Sequence, residues 1–397
     1  MLDYLFNLSI LQIILVNIIL VAINFLFSLF VRSRVIKKYN KTKSIEKALY
    51  IESILGKYIH TILIIGTAFF DALVITPYFR HFHKFSVIIV VGVICSIITI
   101  ILVINQLVLF NTNKMLRKTE ATKKEQIGLL IRFMIFSIIP VLIMLAVLQI
   151  NPKELNIGVR FQKYFKILIP VIAYMLISFI LPLFNKYLLK AVPMDDSDLK
   201  NELIHFLNKC GIKKVEIFLW PMKSNKHANA LVSGLIHKQI FISDYLLENF
   251  SLEETKAILA HEIGHIKKFH LWIRTALIIG MLIVFPLLGE LFEYYEKTIS
   301  EIPIWLGIMI FAIVFILYFG FFLYFIYRIQ ERQADSFVLE LGVDGEVFIS
   351  ALYKLAKLNH TVMKYNKVDE KFKTHPSVAK RIKWIRDYPR GVNFSRK

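Results

Sequence analysis

Cysteine is almost missing from this sequence. The two present, Cys95 inside an apolar run and Cys210 in a polar stretch, cannot build a disulfide framework and do not form a metal-binding motif. Internal repeats and low-complexity segments are lacking too, as are lipidation motifs at either end. Acidic residues are the minority charge, 29 against 49 Lys and Arg, for a formal net charge of +20. An excess of that size raises the question of nucleic acid. The basic residues gather in short stretches between apolar runs, however, which is the distribution of a membrane-topology signal. No nucleic-acid partner is expected.

What the chain has in quantity is hydrophobicity. Apolar residues make up 56% of it and the mean hydropathy is +0.59, beyond the roughly half that is usual in soluble domains. Seven runs reach the ~20 apolar residues that a bilayer crossing requires: 7–31, 58–79, 85–110, 129–150, 164–189, 271–292 and 303–327. The first has too long an apolar region for a cleaved signal peptide and no small-residue cleavage site, so a retained helix is expected.

Charge sets the orientation. Arg32, Arg34, Lys37, Lys38, Lys41, Lys43, Lys47 and Lys57 follow the first run, and Lys114, Arg117, Lys118, Lys123 and Lys124 follow the third. The alternate connections carry only Arg80 and Lys84, then Lys153, Arg160 and Lys163, then Lys297 beside Glu293, Glu296 and Glu301. The positive-inside rule puts the first set in the cytoplasm. The segment 190–270 and the C-terminal tail are then cytoplasmic and the N-terminus lies outside. The tail NFSRK has no lysine where an endoplasmic-reticulum retrieval signal needs one, so a bacterial plasma membrane is expected.

The polar stretch between the fifth and sixth runs alternates in character. Asp195, Asp196, Ser197 and Asp198 open a helix that puts Leu199, Leu203, Phe206 and Cys210 on one face before Gly211 stops it. Residues 215–220, 228–234 and 238–243 have strand character and predict a three-stranded sheet. Ser251 and Glu254 form a capping-box pair for a helix that continues through HEIGH and is free to run on into the sixth crossing. After the seventh run, RIQERQADSFVLELG predicts a helix ended by Gly342, and residues 345–359 and 376–388 predict two more, the last opened by Pro376.

HEIGH carries the chemistry. Four residues apart on a helix, His261 and His265 share a face and can ligate one metal ion, with Glu262 beside them as a general base. A catalytic zinc needs a third protein ligand and an open position. The extended H-E-x-x-H-x-x-G-x-x-H pattern is excluded, because Lys268 and Leu271 stand where it needs Gly and His. His270, one residue out of register, reads as an interfacial histidine. Glu331, just past the seventh run, meets the motif if the last two crossings form a hairpin. Asp335, one turn after Glu331, then accepts a hydrogen bond from a ligating imidazole.

Taken together, seven crossings, HEIGH before the sixth, ERQAD after the seventh, the NA of HANAL ahead of a strand and THPS followed by an arginine resemble the type I CAAX prenyl endopeptidase family along essentially the whole chain. The core also resembles HtpX-type quality-control proteases, which have fewer crossings. The resemblance implies an integral-membrane zinc metallopeptidase. His261, His265 and Glu331 would hold one Zn2+, Glu262 would act as the base, and His375 and Arg381 would approach the site. Ala228, Asn229 and Ala230 would border the cleft and hold the peptide as an added strand. His375, just before Pro376 at a helix start, would donate to the developing oxyanion.

The expected fold class is mostly α: a polytopic membrane protein of seven transmembrane helices with a small cytoplasmic α+β zincin-like metalloprotease domain. The resemblance implies that the helices form a barrel around a water-filled chamber. Asp71, Asn105, Gln106 and Arg132, polar groups in or near crossings, are candidates to face such an interior. The expected layout is five crossings in 1–189, the HEIGH-bearing part of the protease domain in 190–270, two crossings in 271–327 and the rest of that domain in 328–397. The expected reaction is peptide-bond hydrolysis in a membrane-associated polypeptide, prenylated or not, at the lipid bilayer.

Three rivals stand beside this. An intramembrane site-2 type protease would bury its motif in a crossing, whereas polar SLEETK precedes HEIGH and two lysines follow it. An HtpX-like protease of unprenylated membrane proteins would share every catalytic residue. A transporter or scaffold with a structural zinc would need a fourth ligand, for which His375 is the residue to check.

Overall fold

The structure, a computed structural model, describes residues 9–79, 86–298, 304–371 and 373–388. Arg80, Lys84, Glu301, the tail NFSRK and the first residues of the runs at 7–31, 85–110 and 303–327 lie outside the described residues. The chain forms two compact units, Met1–Ala173 with Ser224–Lys226, and Tyr174–Lys223 with His227–Lys397.

The first unit is helical. Helix α1 (Ile10–Thr42) opens with a capping box between Ser9 and Gln12 and is followed by α2 (Ile45–Glu52), a π-helical stretch (Ser53–Ile59) and α3 (His60–Phe79). Helices α4 (Ser86–Arg117) and α5 (Lys123–Leu148) come next, and α6 (Val159–Ile180) begins in this unit. The basic stretches after the first and third runs are largely helix, because Lys and Arg are good helix formers. In α1 the helix stops only at Lys43, whose φ is +52. Val31, Val35, Ala48, Leu49, Leu109 and Leu116 form a core, whereas Ile14, Ile18, Leu26, Ile62, Ile65 and Ile139 are exposed. Large exposed aliphatic faces suit hydrocarbon and not water. Among the polar groups, Asp71 is fully buried and Gln106 donates to Gln126 at 2.6 Å.

The described residues hold seven helices long and apolar enough to cross a membrane, the number expected from the seven runs.

The second unit carries a four-stranded sheet and the helices around it. After α7 (Asn185–Leu189) come β1 (Val192–Pro193), α8 (Asp198–Lys209), β2 (Glu216–Trp220), β3 (Ala230–Ser233) and β4 (Gln239–Ser243). The spatial order is β1-β2-β4-β3. Strand β2 runs parallel to β4, pairing Ile217 with Ile240, and β3 runs antiparallel to β4, pairing Leu231 with Phe241. The two-residue β1 was not expected, since a pair containing proline shows no alternation. Helix α8, capped by Ser197, packs Leu203 and Leu207 into a core with Ile240, Ile242, Leu246, Leu259 and Ile263.

Helices α9 (Asp244–Asn249) and α10 (Leu252–Lys267) follow, and Ser251 and Glu254 cap α10 as expected. The helix does not run on into the next crossing. Phe269, at φ +57, breaks it, and α11 (His270–Thr298) starts at the next residue. The next helix, α12 (Ile304–Phe315), passes through a π-helical stretch (Ile316–Phe322) into α13 (Leu323–Glu340). The unit closes with α14 (Gly345–Leu358), α15 (Lys367–Lys371) and α16 (Val378–Arg386). Ala257, Ala260, Val338, Phe348, Leu352 and Ile385 pack α10, α13, α14 and α16 together.

Candidate active site

Helices α10 and α13 lie unusually close. A Cβ on Gly264 would sit 2.9 Å from Ala334 Cα, a separation that real side chains do not reach. The glycine inside HEIGH therefore lets α13 approach, and Glu331, one turn before Ala334, reaches the two histidines. His261 Nε2 and His265 Nε2 are 3.3 Å apart, and they lie 3.5 and 3.4 Å from the two oxygens of Glu331. All three side chains are buried.

These distances fit a metal ion. Zinc bonds of about 2.0–2.1 Å in tetrahedral geometry set ligand atoms roughly 3.3–3.4 Å apart. Glu331 Oε2 is buried and has no well-aligned hydrogen bond among the described residues, although His375 Nδ1 lies 2.7 Å away. His375 is not part of the three-residue group that can converge on one ion. A fourth protein ligand is thus lacking among the described residues, which suits a catalytic and not a structural metal.

The outer nitrogens of the two imidazoles meet different surroundings. His261 Nδ1 lies 2.9 Å from Asp335 Oδ1, and Arg381 grips Asp335 with both arms of its guanidinium, Nε to Oδ2 at 2.9 Å and Nη2 to Oδ1 at 2.6 Å. Arg381 is thus an anchor for Asp335. His265 Nδ1 faces His270 Nδ1 at 2.8 Å, and His270 Nε2 faces Gln333 Oε1 at 2.9 Å. His270 stands at the start of a crossing-length helix, as an interfacial residue would, but it is 0% exposed and packed against the motif.

Electrostatics follow this division. Burial works against protonation of His261, and Arg381 adds to that, but Asp335 and Glu331 outweigh both and raise its pKa to about 9 in the metal-free site. Burial, reinforced by the His261 charge, lowers His265 to about 3. Glu262 is raised, by burial first and then by the charge of Glu331, against the pull of His261. A carboxylate raised above its ordinary value is a stronger base for taking up a proton.

Glu262 and His375 line a cleft of about 450 Å3 together with Asn229, Ala230, Leu231 and Val232. Strand β3 is the edge of the sheet. Asn229 bonds β4 through its N–H to Ser243 Oγ and its carbonyl to Ser243 N, both at 2.9 Å. By antiparallel alternation, Ala228, Ala230 and Val232 turn their backbone groups to the outer edge. Ala228 is closed off there, because Asn359 accepts from its N–H at 2.9 Å and donates to its carbonyl at 2.7 Å. Of the three expected strand residues, Ala230 therefore offers backbone groups to the outer edge, whereas those of Asn229 are spent on β4. Asn359 itself sits at the C-cap of α14, with no signal in its spacing to mark it.

Residues 193–388 match Peptidase family M48. Curated relatives include "CAAX prenyl protease 1" of Saccharomyces cerevisiae, 28% identical over 51% of this chain and 50% of that protein. Another is "Protease HtpX homolog" of Helicobacter pylori, 27% identical over 40% of this chain and 57% of that protein. The chain thus spans about half the length of the curated relatives it matches. Among solved structures, the crystal structure of S. mikatae Ste24p aligns over 93% of this chain and 98% of that one, with a TM-score of 0.63 at 20% identity. That likeness establishes a shared fold. The part of the chain that holds the site, residues 193–388, is thus similar to peptidase family M48, and the curated relatives include both CAAX prenyl proteases and HtpX proteases.

Proposed function

We propose that this protein is an integral-membrane zinc metalloendopeptidase that hydrolyses peptide bonds of membrane-associated or CAAX-type polypeptides. The observation that carries the reading is the convergence of His261 Nε2, His265 Nε2 and Glu331 at tetrahedral-edge spacing, in a cleft that Glu262 and an open strand edge also line.

The residues divide the work. His261, His265 and Glu331 would hold a zinc ion, whose Lewis acidity would lower the pKa of water and polarise the scissile carbonyl. Glu262 takes a proton from the water as its oxygen bonds to the carbonyl carbon, and delivers that proton to the amine nitrogen as the C–N bond breaks. The peptide lies along β3, pairing with the outward backbone groups of Ala230 and Val232. His375 donates toward the carbonyl oxygen as charge develops on it. Asp335, held by Arg381, fixes the ring of His261. The basic-residue asymmetry supports a cytoplasmic catalytic domain and C-terminus.

Cleavage of one C-terminal CAAX peptide, in farnesylated and plain forms, tests this with purified full-length protein and mass spectrometry. Wild type should cut, and Glu262→Gln should lose about 10^2–10^4-fold in rate while keeping its zinc, because the change removes the base and no ligand. Loss of zinc from Glu262→Gln would show the role assignment to be wrong. Equal cutting of both forms would favour the HtpX-like reading, and no cutting of either by zinc-loaded protein would exclude this substrate class.

A further inference from the structure

His270 and Gln333 are left over by that account. His270 is wholly buried at the first position of α11, a helix long and apolar enough to cross the membrane. Its position is over-determined: the backbone break at Phe269 turns it toward α10, its carbonyl accepts from Gln330 Nε2 at 3.4 Å, and Gln330 is itself held by Arg274 Nε at 2.7 Å.

The order of atoms gives the array a direction. His265 presents Nε2 to the ligand cluster and therefore carries its ring proton on Nδ1, where the acceptor within reach is His270 Nδ1 at 2.8 Å. An imidazole nitrogen that accepts leaves the proton of a neutral ring on the other nitrogen. His270 Nε2–H then donates to Gln333 Oε1 at 2.9 Å, an amide oxygen that can only accept. Each donor in the chain meets an acceptor, and the terminal oxygen sets the sense of the whole array.

We propose that His270 and Gln333 are positioning residues that lock His265 in its Nδ1–H tautomer and ring orientation, so that its Nε2 lone pair is aimed at the metal. The proposal rests on the three-ligand reading of the site. It assigns this ligand a neutral imidazole–amide relay, where the other ligand has a carboxylate. Hydrogen bonds to the outer nitrogen of a ligating histidine are known to govern metal affinity.

Zinc affinity of the full-length protein, measured against a competing chelator, tests this without reference to peptide cleavage. His270→Phe fills the volume but removes both ring nitrogens, and should weaken zinc about 10–100-fold. His270→Gln keeps an acceptor and a donor in one planar side chain and should recover most of that loss. Gln333 is exposed, so Gln333→Leu leaves the core intact and should still weaken zinc several-fold. The visible spectrum of cobalt-loaded His270→Phe should shift as His265 loses its fixed orientation.

Affinity within twofold of wild type in both His270→Phe and Gln333→Leu, or no recovery in His270→Gln, would overturn the relay and leave packing as the role of His270. A His270→Phe protein that fails to fold leaves the decision to Gln333→Leu. Wild type that binds zinc but cuts neither CAAX peptide would exclude that substrate class and leave the relay standing; wild type that binds no zinc would overturn both.

Discussion

The two histidines of HEIGH sit one turn apart on the same helix, yet opposite chemistry holds them. His261 backs onto charge, the buried Asp335–Arg381 pair. His265 backs onto neutral groups, His270 and then Gln333. One imidazole is thus held by strong, costly electrostatics and the other by hydrogen bonds that place no ion in the interior. A buried ion pair is stable only while both partners remain, whereas removing a neutral partner forfeits a smaller amount. The charged flank should therefore govern folding, and the neutral flank should tune metal binding.

The largest effect follows from breaking the charged flank. Asp335→Ala leaves the Arg381 guanidinium, 8% exposed, beside His261 without the carboxylate that takes both of its hydrogen bonds. A loss of about 3–5 kcal/mol in stability is expected, read as a large drop in thermal midpoint even in metal-free protein. Adding Arg381→Met to Asp335→Ala should return much of the stability without returning the zinc affinity. If Asp335→Ala alone melts like wild type, the charged flank carries no folding burden and the contrast with His265 fails.

Much of this was legible from the residues, and the illegible parts share a cause. The seven crossings, the capping box at Ser251 and the stop at Gly342 depend on local pattern, which a sequence carries directly. The approach of Glu331 to the histidines needed only a hairpin of two crossings and a helical period. The contact of His270 with His265 was not legible because nothing local announces that Phe269 adopts a left-handed backbone; spacing alone marks only a histidine beside an apolar run. Asn359 was invisible for a related reason, since its role is to bond the backbone of Ala228, 131 positions away. The closed edge at Ala228 follows from strand register, which spacing alone does not set.

A smaller effect sharpens the same contrast by counting protons. In the metal-free site His261, with a pKa of about 9, is protonated at neutral pH, whereas His265, at about 3, is not. Zinc must displace the first proton and finds none on the second ligand. Its apparent affinity should rise about tenfold per pH unit from roughly pH 6 and level off near the His261 value. Calorimetry in buffers of different ionisation enthalpy should record one proton released per zinc near neutrality. The stability of the metal-free protein should run the other way. The raised His261 pKa contributes fully below its unfolded value of 6.5 and is lost as pH rises through about 9. Release of two protons, or of none, would mean that the two flanks do not differ as described.

The smallest change keeps the charge and removes only its shape. Arg381→Lys preserves a cation near Asp335 but loses the two-armed grip, with Nε and Nη2 each on its own carboxylate oxygen. A cost of about 1–2 kcal/mol in stability is expected, the scale of one charge-assisted hydrogen bond. The proton count on zinc binding should not move, because the positive charge that opposes His261 protonation and the carboxylate that favours it both remain. Zinc affinity should fall less than it does in His270→Phe. If Arg381→Lys instead weakens zinc as much as His270→Phe does, the orientation of Asp335, and not its charge, is what holds His261. The two ligands would then be positioned by the same means, differing only in whether the atom at the end of the chain is an amide oxygen or a carboxylate.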